Sequence, residues 1–217
     1  MPRAQRLNQA GVMHHVISRG NANQVLFRDE DDYFKYLSLL GEGIRQHPLF
    51  LYNYVLLPSY LHLLVETKQD GALSKTMEMV TREYAKYFNI KYNSMGHVFL
   101  GRFKSFVVQA GEYYFGCSKY IDLNPVREGL VKEPKDYRWS GYRQLALGER
   151  GEIILDEHEL YRALGAGLKE RQLVYRTLVQ QNFGAKLHLD DRKSGILGSR
   201  EFKRMVKVGG NEKSIGK

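Results

Sequence analysis

The sequence has little cysteine and no long apolar segment. Its single cysteine, Cys117, excludes an internal disulfide framework and any zinc site built from several cysteines. No apolar run reaches the roughly 20 residues that a membrane-spanning helix needs, and the residues after Met1 lead into no apolar signal core. We therefore expect a protein of the reducing cytoplasm that is neither secreted nor inserted into a membrane.

Acidic residues are too few to balance the basic ones. The chain has 33 Lys and Arg against 24 Asp and Glu, which gives a net charge of +9. A charge of this sign favours a polyanionic partner. Much of the excess lies in residues 192–217, where eight Lys or Arg accompany two Glu. This tail is either a solvated chain end or a basic arm, and the sequence leaves both alternatives open.

The hydrophobic pattern predicts an α+β fold. Alternating apolar residues indicate strands, and apolar residues at helical spacing indicate helices. The predicted order is strand, helix, strand, strand, helix, strand, at residues 12–18, 29–46, 49–57, 61–66, 73–89 and 96–109. This βαββαβ order is that of a ferredoxin-like sandwich with an antiparallel sheet. In that layout the strands at 12–18 and 61–66 are central, both helices lie behind the sheet, and the opposite sheet face is open to a ligand.

Helices are also predicted after the sandwich. The first covers residues 112–123 and ends beside Asn124, because Pro125 disfavours a helical conformation for the residue before it. Further helices are predicted at residues 156–164, 168–181 and 199–206. We therefore divide the chain into a compact domain at residues 1–147 and a helical accessory segment with a basic tail at residues 148–217.

Two pairs of polar side chains are candidates for chemistry. On the third predicted strand, His62 shares a face with Tyr60, which precedes it by two residues. On the helix after the sandwich, Tyr120 and Asn124 are one turn apart and project to one side, with Tyr113 two turns before Tyr120. A structural interpretation is also open, in which His62 is a buried, hydrogen-bonded histidine and the tyrosines are packing residues.

Several strings in the sequence resemble a known family, the REP-associated tyrosine transposases. These belong to the larger group of single-tyrosine HUH transposases of bacterial insertion sequences. The strings are HVISRGN at residues 15–21, GHVFLGRFKS at 96–105, YIDLNPVR at 120–127 and WSGY at 139–142. The resemblance implies a ferredoxin-like fold with a catalytic helix after the sheet. It also implies that residues 1–147 bind and cut single-stranded DNA that forms hairpins.

The resemblance further implies a site. In this family two histidines that flank one apolar residue hold Mg²⁺ or Mn²⁺, and a polar residue one helical turn after the nucleophile completes the ligand set. A tyrosine on the helix attacks the phosphate and leaves a 5′-phosphotyrosine. Transferred to this chain, Tyr120 is the nucleophile, His62 the second histidine and Asn124 the third ligand. The residues expected to contact DNA phosphates, which could equally be ordinary surface cations, are Arg19, Arg102, Lys104 and Arg127.

The chain departs from the family at the metal site. The family string is Pro-Asn-His-apolar-His, and this chain has PSYLH at residues 58–62, so Tyr60 stands in place of the first histidine. A neutral phenol is a poor ligand for a hard cation. We therefore expect the metal to bind weakly or not at all.

Three hypotheses about function follow. The first is a transposase-like nuclease that cuts and rejoins single-stranded or hairpin DNA despite its altered metal site. The second is a hairpin-DNA-binding protein of the same descent with impaired catalysis. The third is an RNA-binding module on the same fold. No obligate protein partner is indicated, and both a monomer and a homodimer remain open.

Overall fold

The computed structural model describes residues 8–181 and 195–212. Five strands are present in this part of the chain: β1 (Met13–Arg19), β2 (Leu49–Leu57), β3 (Tyr60–Thr67), β4 (Lys104–Val108) and β5 (Ile196–Leu197). Its α-helices are α1 (Glu30–Gln46), α2 (Ala72–Lys91), α3 (Glu112–Arg127), α4 (Glu159–Arg162), α5 (Leu168–Gln180) and α6 (Arg200–Glu212). The remainder of the predicted basic tail, at residues 192–194 and 213–217, lies outside the described residues.

The strands form one sheet in the order β2-β3-β1-β4-β5. The first four strands are antiparallel to their neighbours, and the short β5 pairs in parallel with β4. The predicted α+β class and the central position of β1 and β3 are confirmed. The sequence analysis did not predict β5, because two residues are too short to produce an alternating pattern.

The helices α1 and α2 pack against each other on one side of the sheet. The side chain of Asp29 caps α1 by accepting a hydrogen bond from the backbone amide of Asp32, and three acidic residues in the first turn complement the helix dipole. Close contact between the two helices depends on Gly43, because a Cβ atom there would lie 3.0 Å from Cγ2 of Thr76. Apolar side chains of α1 and α2, among them Leu40 and Val80, are buried in the core that this packing forms.

The other face of the sheet is not open, and that expectation was wrong. Helix α3 lies across it, in contact with β2, β3 and β4. The cause is the apolar surface of α3 itself, since Tyr114, Cys117 and Ile121 are almost completely buried. Burying these side chains against the sheet stabilises the folded protein by about 25 cal/mol per Å² of apolar surface removed from water. This gain favours a sheet face that is covered by α3.

Three predicted boundaries need correction. The strand predicted at residues 96–109 is only β4, because Gly96 and Gly101 adopt positive φ angles of 101° and 65° that interrupt an extended chain. Helix α3 continues through Pro125 to Arg127, since a proline near the end of a buried helix removes only one hydrogen bond. The helix predicted at residues 156–164 is only the four-residue α4.

Helix α5 packs against α3 and against a π-helix at Arg143–Leu147 that the sequence analysis did not predict. The division at residue 147 stays a prediction. Within the described part of the chain, no helix combines the length and the apolar character needed to cross a membrane.

Candidate nucleophile and metal site

Two histidines meet on the sheet face that α3 covers. Because Ile17 on β1 stands opposite His62 on β3, His15 lies diagonally beside His62 on the same face. Nε2 of His15 and Nδ1 of His62 are 2.8 Å apart, and the two rings are stacked with centroids 4.9 Å apart. Both side chains are 1% exposed. Either ring can donate this hydrogen bond, depending on the tautomer.

Tyr120 approaches this histidine pair from α3. Its ring meets the rings of His15 and His62 edge-on, with centroid distances of 5.9 and 5.5 Å. The guanidinium of Arg127 lies 4.8 Å from the centroid of the Tyr120 ring and also donates a hydrogen bond to the Tyr120 carbonyl oxygen, at 3.3 Å. The structure thus brings together two residues that the sequence analysis singled out, Tyr120 and His62, beside a cation. Tyr113, seven residues before Tyr120 on the same helix, is about 10 Å farther back along the helix axis.

Asn124 lies one turn after Tyr120, as predicted, and is 3% exposed. Its side-chain Nδ2 donates a 2.9 Å hydrogen bond to the Tyr120 carbonyl oxygen of its own helix. This bond orients the amide, and only its other end, Oδ1, has the lone pairs that a cation could use.

Tyr60 takes the position where the family resemblance expects a histidine, and its hydroxyl is engaged. It donates a 2.6 Å hydrogen bond to Oε1 of Glu128, while its ring lies edge-on to His62 at 5.4 Å. Burial of the hydroxyl, together with the hydrogen bond to the Glu128 carboxylate, raises the pKa of Tyr60 well above its ordinary value. Tyr60 is therefore a neutral phenol at physiological pH and offers no anionic oxygen to a metal ion.

The side chains around His62 do not make a complete metal site. Within residues 8–181 and 195–206, no three or more His, Cys, Asp or Glu side chains are grouped so that they could hold a metal ion. Of the expected ligand set, His62 and Asn124 are present, and Tyr60 is hydrogen-bonded elsewhere. Mg²⁺ and Mn²⁺ prefer several oxygen ligands, above all carboxylates. The residues present do not fit a tightly held ion of this kind.

The four predicted phosphate-contacting residues lie in different surroundings. The guanidinium of Arg19 lies 5.2 Å from the centroid of the Tyr60 ring, and Arg127 stacks on Tyr120. Lys104 stands opposite Ile17 and therefore shares the sheet face of His62, at an exposed position. Arg102 precedes β4 and lines a groove beside α2 instead. Their roles in binding stay predictions.

A second polar cluster lies in the protein interior and was not predicted. Nδ2 of Asn53 donates to Oδ1 of Asp122 at 2.9 Å and to Oγ of Ser118 at 2.8 Å. The hydroxyl of Tyr175 is 2.5 Å from Oδ2 of Asp122 and 2.7 Å from Oγ of Ser118. Burial raises the pKa of Asp122 to about 7, against the opposing effect of its hydrogen bonds from Tyr175 and Asn53.

The sequence analysis missed His15 and Glu128 as well. His15 opens one of the family-like strings, but its partner follows only from the register between β1 and β3. Glu128 lies two turns after Tyr120 and contacts Tyr60, which could be anticipated only if α3 were known to continue past Pro125. For Asp122, the available signal was its position four residues after Ser118 on a helix that otherwise buries apolar side chains.

Comparisons with known proteins identify the family of this chain and agree with its fold. Residues 8–123, just over half of the chain, match the sequence profile of the family described as "Transposase IS200 like". A solved structure of a REP-associated tyrosine transposase bound to a REP hairpin is 20% identical, with a TM-score of 0.54, and the match covers 72% of this chain and 93% of that one. At this identity the structural match shows the fold. No significant match was found among curated proteins. The family resemblance is confirmed, and the chain belongs to the IS200-like transposase family.

Proposed function

We propose that this protein binds single-stranded or hairpin DNA and cuts and rejoins it through Tyr120. The observation that carries the proposal is the placement of Tyr120, which is half-buried against the His15–His62 pair and stacked on Arg127. A tyrosine among imidazoles and a guanidinium has the groups that phosphodiester cleavage needs. The family membership and the fold shared with a transposase bound to a REP hairpin support the same conclusion.

The electrostatics of the site suit a nucleic-acid strand. Arg19 and Arg127 stack on the tyrosines at 60 and 120, and Lys104 is exposed on the same sheet face. Guanidinium groups neutralise phosphate charge and donate paired hydrogen bonds to its oxygens. In a chain with a net charge of +9, we expect binding to weaken as salt rises, because each neutralised phosphate releases counterions.

The proposed reaction is a transfer of the phosphoryl group to tyrosine. The phenolic oxygen of Tyr120 forms a bond to phosphorus, the bond from phosphorus to the 3′ oxygen breaks, and the 5′ side stays attached to the protein. Tyr120 releases its proton, and the departing 3′ oxygen takes one up. His15 and His62 are the imidazoles beside Tyr120 that can hold a proton, and Arg127 is placed to stabilise charge on the phosphate.

We propose that the site has a low affinity for a metal ion. His62 and Asn124 are the residues that would hold Mg²⁺ or Mn²⁺, and such an ion would polarise the scissile phosphate. Because Tyr60 is neutral and hydrogen-bonded to Glu128, the set lacks one of its three protein ligands. We therefore propose that the ion binds poorly.

The engagement of Tyr60 favours one alternative function, a hairpin-DNA-binding protein whose catalysis is impaired. In this alternative the basic face and the fold are retained. The loss of a histidine weakens the binding of the metal ion that would polarise the phosphate attacked by Tyr120. The two proposals agree on the DNA partner and differ only in whether a covalent intermediate forms.

A covalent-adduct assay separates these possibilities. The protein is incubated with labelled single-stranded hairpin DNA, with Mn²⁺ or with EDTA, and run on a denaturing gel beside the variants Tyr120→Phe, Tyr113→Phe and Tyr60→His. We expect an adduct from the unmodified protein and from Tyr113→Phe, and none from Tyr120→Phe. An adduct that forms only with Tyr60→His would establish the binding protein instead.

Two further outcomes would contradict the proposal itself. An adduct that persists in Tyr120→Phe would refute the assignment of the nucleophile. A hairpin of RNA that binds at least about 10 times more tightly than the same DNA hairpin would show that the protein recognises the 2′-hydroxyl and that its partner is RNA.

A further inference from the structure

Helix α3 has a second polar side, turned away from the histidines. Residues two apart on a helix point in directions about 200° apart. Ser118 and Asp122 therefore project to the opposite side from Tyr120 and Asn124. Both are completely buried, so this second side of the helix faces the protein interior.

One residue of α5, Tyr175, forms hydrogen bonds with both of these buried side chains. The hydroxyl of Tyr175 contacts both Asp122 and Ser118, at 2.5 and 2.7 Å, and Asn53 of β2 reaches the same two side chains. Tyr175 and Asn53 are themselves completely buried. The four side chains form a single cluster that ties α3 to the sheet on one hand and to α5 on the other.

Such a cluster fixes geometry more strictly than apolar packing does. Buried polar groups must keep their partners, since an unsatisfied donor or acceptor away from water is costly. Helix α3 therefore cannot roll or slide without breaking several of these bonds at once. An apolar contact surface would tolerate such a shift. Tyr120 lies between Ser118 and Asp122 in the sequence, so its position follows theirs.

We propose that Tyr175 is a positioning residue for Tyr120. Helix α5 thus contributes to the site by fixing the position of α3. This inference rests on the proposed role of Tyr120 as nucleophile. It reaches beyond the family match, which ends at residue 123, because α5 lies wholly downstream. A displacement of about 1 Å at the reacting group can cost about 100-fold in rate, so a small movement of α3 is enough to matter.

The test removes one hydroxyl, in Tyr175→Phe, and compares it with a matched control, Tyr161→Phe. Tyr161 is also a buried tyrosine of the C-terminal helices, and its hydroxyl donates a 2.7 Å hydrogen bond to the Leu145 carbonyl oxygen. Its ring contacts that of Tyr175, with centroids 5.7 Å apart. The two substitutions therefore delete the same group in the same region, and of the hydrogen bonds they remove only those of Tyr175 are made to side chains of α3.

Two quantities are measured with the labelled hairpin DNA, the rate of adduct formation and the dissociation constant. For Tyr175→Phe we expect the adduct rate to fall at least about 10-fold, with hairpin affinity within about twofold of the unmodified protein. For Tyr161→Phe we expect both to stay within about twofold. Equal adduct rates in the two variants would overturn the inference.

If the unmodified protein forms no adduct at all, the proposed catalysis is refuted. A second measurement then tests separately whether Tyr175 positions α3. Amide hydrogen exchange is followed by mass spectrometry on peptides that cover Glu112–Arg127. Exchange there at least about 10 times faster in Tyr175→Phe than in Tyr161→Phe would support positioning of α3 by α5. Equal exchange in the two variants would refute it.

Discussion

Replacing Asp122 by Asn should stabilise the protein at neutral pH. Burial raises the pKa of Asp122 from an ordinary value of 3.8 to about 7, so the folded protein holds a proton that the unfolded chain has lost. Each unit of pKa difference corresponds to about 1.4 kcal/mol. The free energy of unfolding should therefore fall by about 4 kcal/mol as pH rises from 4 to 7.

The direction of this effect follows from the proton balance. Between pH 4 and 7 the folded state binds more protons at Asp122 than the unfolded state does, so stability decreases with rising pH. The contribution is fully present below the unfolded pKa and is lost through the folded one. Asn keeps the cluster satisfied, because its amide oxygen can accept from Asn53 and its amide nitrogen can donate to the phenolic oxygen of Tyr175.

Urea unfolding of the unmodified protein and of Asp122→Asn at several pH values between 4.5 and 8 measures the difference directly. We expect the variant to gain on the unmodified protein by about 1.4 kcal/mol per pH unit below pH 7, with no further gain above it. Because the other titrating groups are common to both proteins, they cancel in the difference. A difference that does not change with pH, or that changes in the opposite direction, would refute the reasoning.

Two further predictions concern the candidate site. Tyr60→His should raise the affinity for Mn²⁺ at least about 10-fold in calorimetric titration, because it would complete the proposed set of three protein ligands, and an unchanged affinity would place the metal elsewhere. Arg127→Ala should reduce the magnitude of the slope of the logarithm of hairpin affinity against the logarithm of salt concentration by about 1, while Arg82→Ala, on α2 and ion-paired with Glu83, should leave it unchanged. Equal slopes in the two variants would contradict the placement of DNA at Tyr120.

Local patterns in the sequence were enough to predict most of the fold. Helix α1 has an acidic first turn and apolar residues at helical spacing, and β2 and β3 alternate or run apolar up to a turn at Pro58. The helical spacing of Tyr120 and Asn124, four residues apart, also survives in the structure. These features depend on neighbours within a few residues, which a sequence displays directly.

The missed residues depend on contacts between distant segments. His15 and His62 are 47 residues apart and meet only through strand register. Tyr175 and Asp122 are 53 residues apart and meet only because α5 folds back onto α3. A one-residue shift in register would move His15 to the other face of the sheet, so no local pattern could have assigned its partner.

Tyr60, which stands where the family resemblance expects a histidine, is well accommodated in this chain. A phenolic hydroxyl placed beside His62 needs a hydrogen-bond partner. Glu128, which directly follows α3, accepts a 2.6 Å hydrogen bond from the Tyr60 hydroxyl. The guanidinium of Arg19 stacks on the Tyr60 ring, and that of Arg127 stacks on the Tyr120 ring. The positive charge at the site is therefore anchored to aromatic rings and to the α3 backbone, and it does not depend on a bound ion. For this reason the proposed binding of DNA should survive treatment with EDTA, whether or not the chemistry at Tyr120 does.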